Sequence, residues 1–267
     1  MSELKAQLES FNSLLKELKQ NRDQTGGLRF GRSVIVASDI AEQFYCEKKV
    51  EMGYLHGEVE TEAKNMGTKA HEKLTEDSRK VKTEQLWQDI HGDRPILALE
   101  MFLLAKYNDV ILAGKPDSVL FARGFPLVVF EYKFSRSGIA YPSYHVQAQT
   151  YGVLLENMGF DTSRLFYALV VADPETRGSR KLRQNVMRTI MGNSPTEATH
   201  SVDDAKIYFC KFNRARAEKD LGWALEFWSK SREAESTSNQ NKCAKCEYQT
   251  YCQDPTGQTP SSNDSIC

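Results

Sequence analysis

Three strand-like runs follow one another in mid-chain: Ile96–Lys106, Val110–Phe121 and Phe125–Phe134, joined by the turn-forming pairs Asn108-Asp109 and Arg123-Gly124. Connections this short leave no room for a crossover, so the runs must pair as an antiparallel meander. The turns also set the register. A tight turn on Asn108-Asp109 pairs Tyr107 with Val110 and puts Glu100 opposite Asp117. A turn centred on Gly124 pairs Ala122 with Pro126 and puts Asp117 opposite Glu131. The carboxylates then form a row across neighbouring strands. Pro116 has no N–H to give a ladder, so a bend or bulge there would shift that row.

Like charges facing each other across a sheet destabilise it, and carboxylates gathered in apolar surroundings need a cation. Hard divalent ions such as Mg²⁺ and Mn²⁺ favour oxygen ligands. On the third run Val129, Glu131 and Lys133 share one face, and Val128, Phe130, Tyr132 and Phe134 the other. The apolar stretch Leu127–Phe130 reads as buried, so the strand carries Glu131 and Lys133 out of the core into a cleft. In a metal-dependent hydrolase such carboxylates hold an ion that activates water, and the ammonium positions that water or neutralises developing charge. Glu-x-Lys alone describes a solvated strand face equally well. Its weight comes from Gly114-Lys115-Pro116-Asp117 on the preceding run.

Around the meander, Leu4, Leu8, Phe11, Leu15 and Leu18 recur at helical spacing and predict an amphipathic first helix docked on the core. Ser38-Asp39 reads as the cap of a short helix reaching Cys46, and further helices are expected over 62–80, 143–157 and 214–234. Strands are expected over 165–172 and 207–212. Residues 174–204 read as a loop, 236–241 as a polar linker, and 253–267 as a disordered tail. Trp223, Phe227 and Trp228 stand at helical spacing and read as core. The order of elements predicts a mixed α/β core with helices flanking the sheet.

With 35 Lys+Arg against 36 Asp+Glu, the chain cannot hold nucleic acid by bulk charge. Any such contact needs clustered basic residues, and Arg177, Arg180, Lys181, Arg183 and Arg188 are clustered. They read either as a solvated loop or as an arm guiding a strand. No apolar run has the length of a membrane span, and Met1–Lys5 lacks the core of a signal peptide, so a cytoplasmic protein is expected. No GxxxxGK[ST] phosphate loop occurs. In a reducing compartment the 6 cysteines suggest a metal rather than disulfides. Cys243, Cys246 and Cys252 lie close in sequence, and Cys46, far upstream, is the candidate fourth ligand. The chemistry of four thiolates leaves Zn²⁺ and an iron–sulfur cluster both open.

Gly114-Lys115-Pro116-Asp117 with Glu131-Tyr132-Lys133 resembles the signature of the PD-(D/E)XK nucleases. Gly67-Thr68-Lys69-Ala70-His71 resembles the GxxxH motif of the RecB-like branch, and Gln147-Ala148-Gln149-Thr150-Tyr151 resembles its QxxxY motif. The four occur in the family's order across residues 67–151. The resemblance implies a restriction-endonuclease-like core over 61–235, with a helical segment at 1–60 and a cysteine-bearing extension at 236–267. It implies His71, Asp117 and Glu131 as ligands of Mn²⁺ or Mg²⁺, with Glu100 at a less constant acidic position. Lys133 is then the catalytic lysine, and Gln147 and Tyr151, on one helical face, contact nucleic acid.

One cysteine before the core and a CxxC-x5-C after it resemble the iron–sulfur-bearing RecB-like exonucleases, among them the CRISPR-associated exonuclease family. That implies a structural [4Fe–4S] cluster on Cys46, Cys243, Cys246 and Cys252. The family's usual proline after the first cysteine is Glu47 here. The implied activity is hydrolysis of DNA, at single-stranded ends, in CRISPR adaptation or DNA repair, with an integrase or repair helicase as partner. The competing expectation is a non-catalytic, zinc- or cluster-stabilised subunit that binds nucleic acid within a larger nuclease complex.

Overall fold

The computed structural model describes residues 2–20, 25–60, 82–176, 180–192 and 196–252. The helix expected over 62–80, with His71 in it, and the tail from 253 lie outside the described residues, as does Arg177. In chain order the elements are α1 (Ser2–Gln20), β1 (Val34–Val36), α2 (Ala37–Gln43), α3 (Glu47–His56), α4 (Thr83–Ile90), β2 (Ile96–Leu99), β3 (Leu103–Tyr107), β4 (Val110–Gly114), β5 (Ser118–Ala122) and β6 (Phe125–Phe134). Then come α5 (Pro142–Asn157), β7 (Phe166–Ala172), α6 (Arg180–Met191), β8 (Ala198–Val202), β9 (Ala205–Lys211), α7 (Arg214–Trp228) and α8 (Gln240–Cys243).

The first two runs of the meander each split in two. Leu103–Tyr107 and Val110–Gly114 join β1 in a three-stranded sheet ordered β1-β4-β3. Ile96–Leu99 and Ser118–Ala122 enter a six-stranded mixed sheet ordered β2-β5-β6-β7-β9-β8. The break falls where the backbone cannot continue a ladder: Glu100 has a left-handed φ of 48°, and Pro116, next to its partner Asp117, has no N–H. Register nevertheless carries across the break. Tyr107 pairs with Val110 and Leu99 with Ser118, while Glu100 N–H donates to the Asp117 carbonyl at 3.1 Å.

The second turn differs from the expectation. Arg123 and Gly124 both have positive φ, as a two-residue I′ turn requires, and Ala122 pairs with Phe125 rather than Pro126. A bulge between Leu120 and Phe121 then restores the offset, so Ser118 pairs with Phe130 and Asp117 still lies level with Glu131. The bulge sits at Leu120–Phe121, not at Pro116.

β6 runs antiparallel to β5 and parallel to β7, with α5 as the crossover. Its alternation feeds two cores. Val129 packs with Phe121, Leu154 and Leu169 on the α5 side, whereas Val128, Phe130 and Tyr132 pack with Val170, Val186 and Ile207 on the other. Pro142 starts α5 with its φ preset, and His145 through Leu155 are all buried, because this helix is covered on several sides. Gly152 is required there: a Cβ would stand 2.4 Å from the Phe212 ring. α1 docks on the core through Phe11 and Leu14. Phe227 and Trp228 of α7 are fully buried. Among the described residues no helix is long and apolar enough to cross a membrane.

Two further expectations are corrected. Residues 180–191 form an amphipathic helix, not a loop, since Leu182, Val186 and Ile190 recur at helical spacing and bury in the second core. Each such side chain contributes about 1.5–3 kcal/mol. The segment at 236–241 is not a solvated linker either: Ser236 and Thr237 are buried.

Candidate active site and cysteine cavity

The acidic residues stand where the two sheets part. Asp117 ends the break before β5, and its Oδ2 accepts a hydrogen bond from Tyr132 N–H at 2.7 Å. That bond links the Pro-Asp turn to the Glu-x-Lys strand and orients the Asp117 side chain. Glu131 is buried, and its Oε1 lies 2.9 Å from Lys133 Nζ on the same face of β6. Lys133 Nζ also donates to Gln147 Oε1 at 2.8 Å, and Gln147 Nε2 donates to the Tyr151 hydroxyl at 2.7 Å. The Tyr151 hydroxyl in turn donates to the Lys115 carbonyl at 3.4 Å. The three motif fragments that fall within the described residues are thus joined by hydrogen bonds.

Gly114 is part of this arrangement, because a Cβ there would lie 2.8 Å from the Tyr151 ring. Burial alone would lower the Lys133 pKa, but the Glu131 carboxylate, with Asp117 behind it, outweighs burial and holds it above the ordinary value. Lys133 is therefore an ammonium at neutral pH. Tyr151 is pushed well above the ordinary phenol by burial and by the Glu131 charge, and stays neutral. Glu100, beside Asp117 through the backbone, pairs with Lys115 at 3.0 Å on the surface. Tyr144 places its ring 5.2 Å from Lys133 Nζ. Sequence reasoning missed Tyr144, although it stands one turn before Gln147 on the same helical face.

Arg180, Lys181 and Arg183 sit on α6, which packs on the sheet face opposite α5. Arg183 approaches the Tyr132 side of β6 closely enough for its charge to bear on the Tyr132 phenol.

Cys46, Cys243, Cys246 and Cys252 line one cavity of about 220 Å³ together with Tyr45, Lys49 and Lys242. Burial, and then the neighbouring sulfurs, push the Cys243 thiol up; burial does the same at Cys246. Among the described residues no three His, Cys, Asp or Glu side chains converge tightly enough to hold a single metal ion.

The two halves of the cavity are fastened by Glu47, the residue standing at the proline position. Its side chain is wholly buried and takes a two-pronged contact from Arg232, with Arg232 Nη2 at 2.8 Å from Oε1. Glu47 also accepts from Gln43 Nε2 at 2.8 Å and from Glu235 N–H at 2.9 Å. Gln43 is held by Trp228 Nε1 at 2.8 Å. Arg232→Ala strands a buried carboxylate and should cost about 3–5 kcal/mol in chemical denaturation. Arg232→Lys, which cannot reproduce the fork, should recover only part of it.

A mixed sheet flanked by helices, with aspartate, glutamate and lysine gathered where its edge opens, defines a restriction-endonuclease-like fold. The sequence profile of the PD-(D/E)XK nuclease superfamily matches residues 15–253, and the chain belongs to that superfamily. Among solved structures it is similar to one described as the crystal structure of SSO0001, at 15% identity and a TM-score of 0.49, over 91% of this chain and 94% of that one. None of the curated proteins compared with the chain matches it.

Proposed function

We propose that this protein is a metal-dependent DNA exonuclease that acts on single-stranded ends and carries a structural [4Fe–4S] cluster, in CRISPR adaptation or DNA repair in the cytoplasm. The observation that carries the reading is the bridge Glu131–Lys133–Gln147, which fixes a charged ammonium beside two carboxylates in a chain of the nuclease superfamily. Asp117 and Glu131 offer the oxygen donors that Mn²⁺ or Mg²⁺ takes, with His71 as the further ligand. Such an ion supplies a Lewis acid for the scissile phosphate and an activated water.

The chain's own residues do the rest. Tyr132 N–H aims the Asp117 carboxylate. Lys133, steered by Gln147 and Tyr144, holds the water or offsets charge developing on the phosphate. Gln147 and Tyr151, both buried in α5, bear on the strand through the Lys133 ammonium that Gln147 holds. Arg180, Lys181 and Arg183 add phosphate contacts along α6.

The cysteine cavity supports the cluster. Four thiols line one space, the ligand number that a [4Fe–4S] cluster takes, and Zn²⁺ is the alternative for the same four. In this reading segments 1–60 and 236–267 each supply ligands and are tied across the core at 61–235. An integrase or repair helicase as partner follows from the same reading. The end requirement is tested with linear and circular single strands of one sequence. Linear DNA should be degraded and circular DNA spared; equal cutting of both would make the enzyme an endonuclease.

A further inference from the structure

The loop from β6 to α5, which follows Lys133 in the chain, holds large apolar side chains out in solvent. Ile139 is 50% exposed and Tyr141 is 41% exposed. This loop is pinned: Ser135 N–H donates to Ala172 O at 2.9 Å, and the Tyr208 hydroxyl donates to Gly138 O at 2.8 Å. At its end Tyr144 N–H donates to Tyr141 O at 2.9 Å, and Pro142 fixes the entry to α5. The Tyr141 ring meets the Tyr144 ring edge-on, with centroids 5.5 Å apart and planes at 84°. Tyr144 itself lies 5.2 Å from Lys133 Nζ. The Tyr141 ring is therefore no further from Nζ than these two spans laid end to end, a reach of about one or two nucleotides of an extended strand.

We propose that Tyr141 is a stacking ledge for an unpaired nucleobase next to the scissile phosphate, and that it sets the preference for single-stranded DNA. An exposed aromatic on a pinned loop costs little entropy to use. A base in a duplex is already stacked and cannot take the place. Tyr144 is a positioning residue, packed against the Tyr141 ring in a T-shaped pair and under the Lys133 ammonium. The inference rests on the nuclease reading and deepens it by naming what selects the strand.

The test uses the full-length protein with Ca²⁺ and a fluorescein-labelled oligothymidylate, read by anisotropy. Tyr141→Ala should weaken binding about tenfold, and Tyr141→Phe should bind as the parent does. A strand of the same length made of abasic sugars should bind parent and Tyr141→Ala alike. In cleavage with Mn²⁺ the alanine variant should raise KM while keeping kcat. If Tyr141→Ala binds oligothymidylate as tightly as the parent, or is weakened equally on the abasic strand, the ledge is refuted and the nuclease reading stands. A parent that binds neither strand refutes both.

Discussion

Asp117→Ala and Glu131→Ala should each abolish DNA cleavage and also lose tight Mn²⁺ binding by calorimetry, whereas Lys133→Ala should lose cleavage and keep the metal. The separation follows from where the charges sit. Asp117 and Glu131 lie level at the parting of the sheets, so in the proposed site removing either takes away a ligand. Lys133 is bonded to Glu131 and Gln147, and its ammonium is not a ligand. Its removal frees Glu131 for the cation while taking positive charge from the reacting phosphate. Losses of a hundredfold or more are usual when such a preorganised charge is deleted. If all three variants cut DNA like the parent, the reacting groups lie elsewhere.

The second large effect concerns the cysteines. Protein purified without oxygen should be brown and contain iron and acid-labile sulfide in equal amounts. Replacing Cys46, Cys243, Cys246 or Cys252 by alanine should bleach it and lower the soluble yield, because the proposed cluster would join segments that stand far apart in the chain. Stoichiometric zinc with no iron would remove the cluster from the account. The Glu47–Arg232 contact predicts a graded outcome: the bleached variants should stay folded at low temperature, since a buried ion pair and the Tyr248 hydroxyl, which donates to Gly57 O at 2.9 Å, still fasten the halves.

The site was legible in the sequence to the extent that turn chemistry fixes register. The Asn108-Asp109 turn predicted the Tyr107–Val110 pair, and Glu100 was rightly set beside Asp117. The Asp117–Glu131 row came out level only because a shorter turn and a bulge at Leu120–Phe121 offset each other; nothing local in Leu-Phe announces a bulge. The division of the first two runs between two sheets has no signal in the sequence beyond Pro116, which marks the place. A left-handed glutamate is uncommon, and sequence gives no sign of it.

Glu47 shows the converse. Its departure from the family's proline carries no sign of a role, because its partner Arg232 is remote in sequence and only packing reveals the pair. The basic stretch at 180–191 misled because its charges mask three apolar residues at helical spacing.

The most direct measurement is cleavage of an end-labelled single strand by the parent protein with Mn²⁺, Mg²⁺, Ca²⁺ or a chelator. An oxygen-and-imidazole site predicts that Mn²⁺ supports cutting at least as well as Mg²⁺, that Ca²⁺ supports it poorly, and that the chelator abolishes it. DNA that is bound but uncut under every metal would contradict the account and leave a non-catalytic DNA-binding subunit in its place.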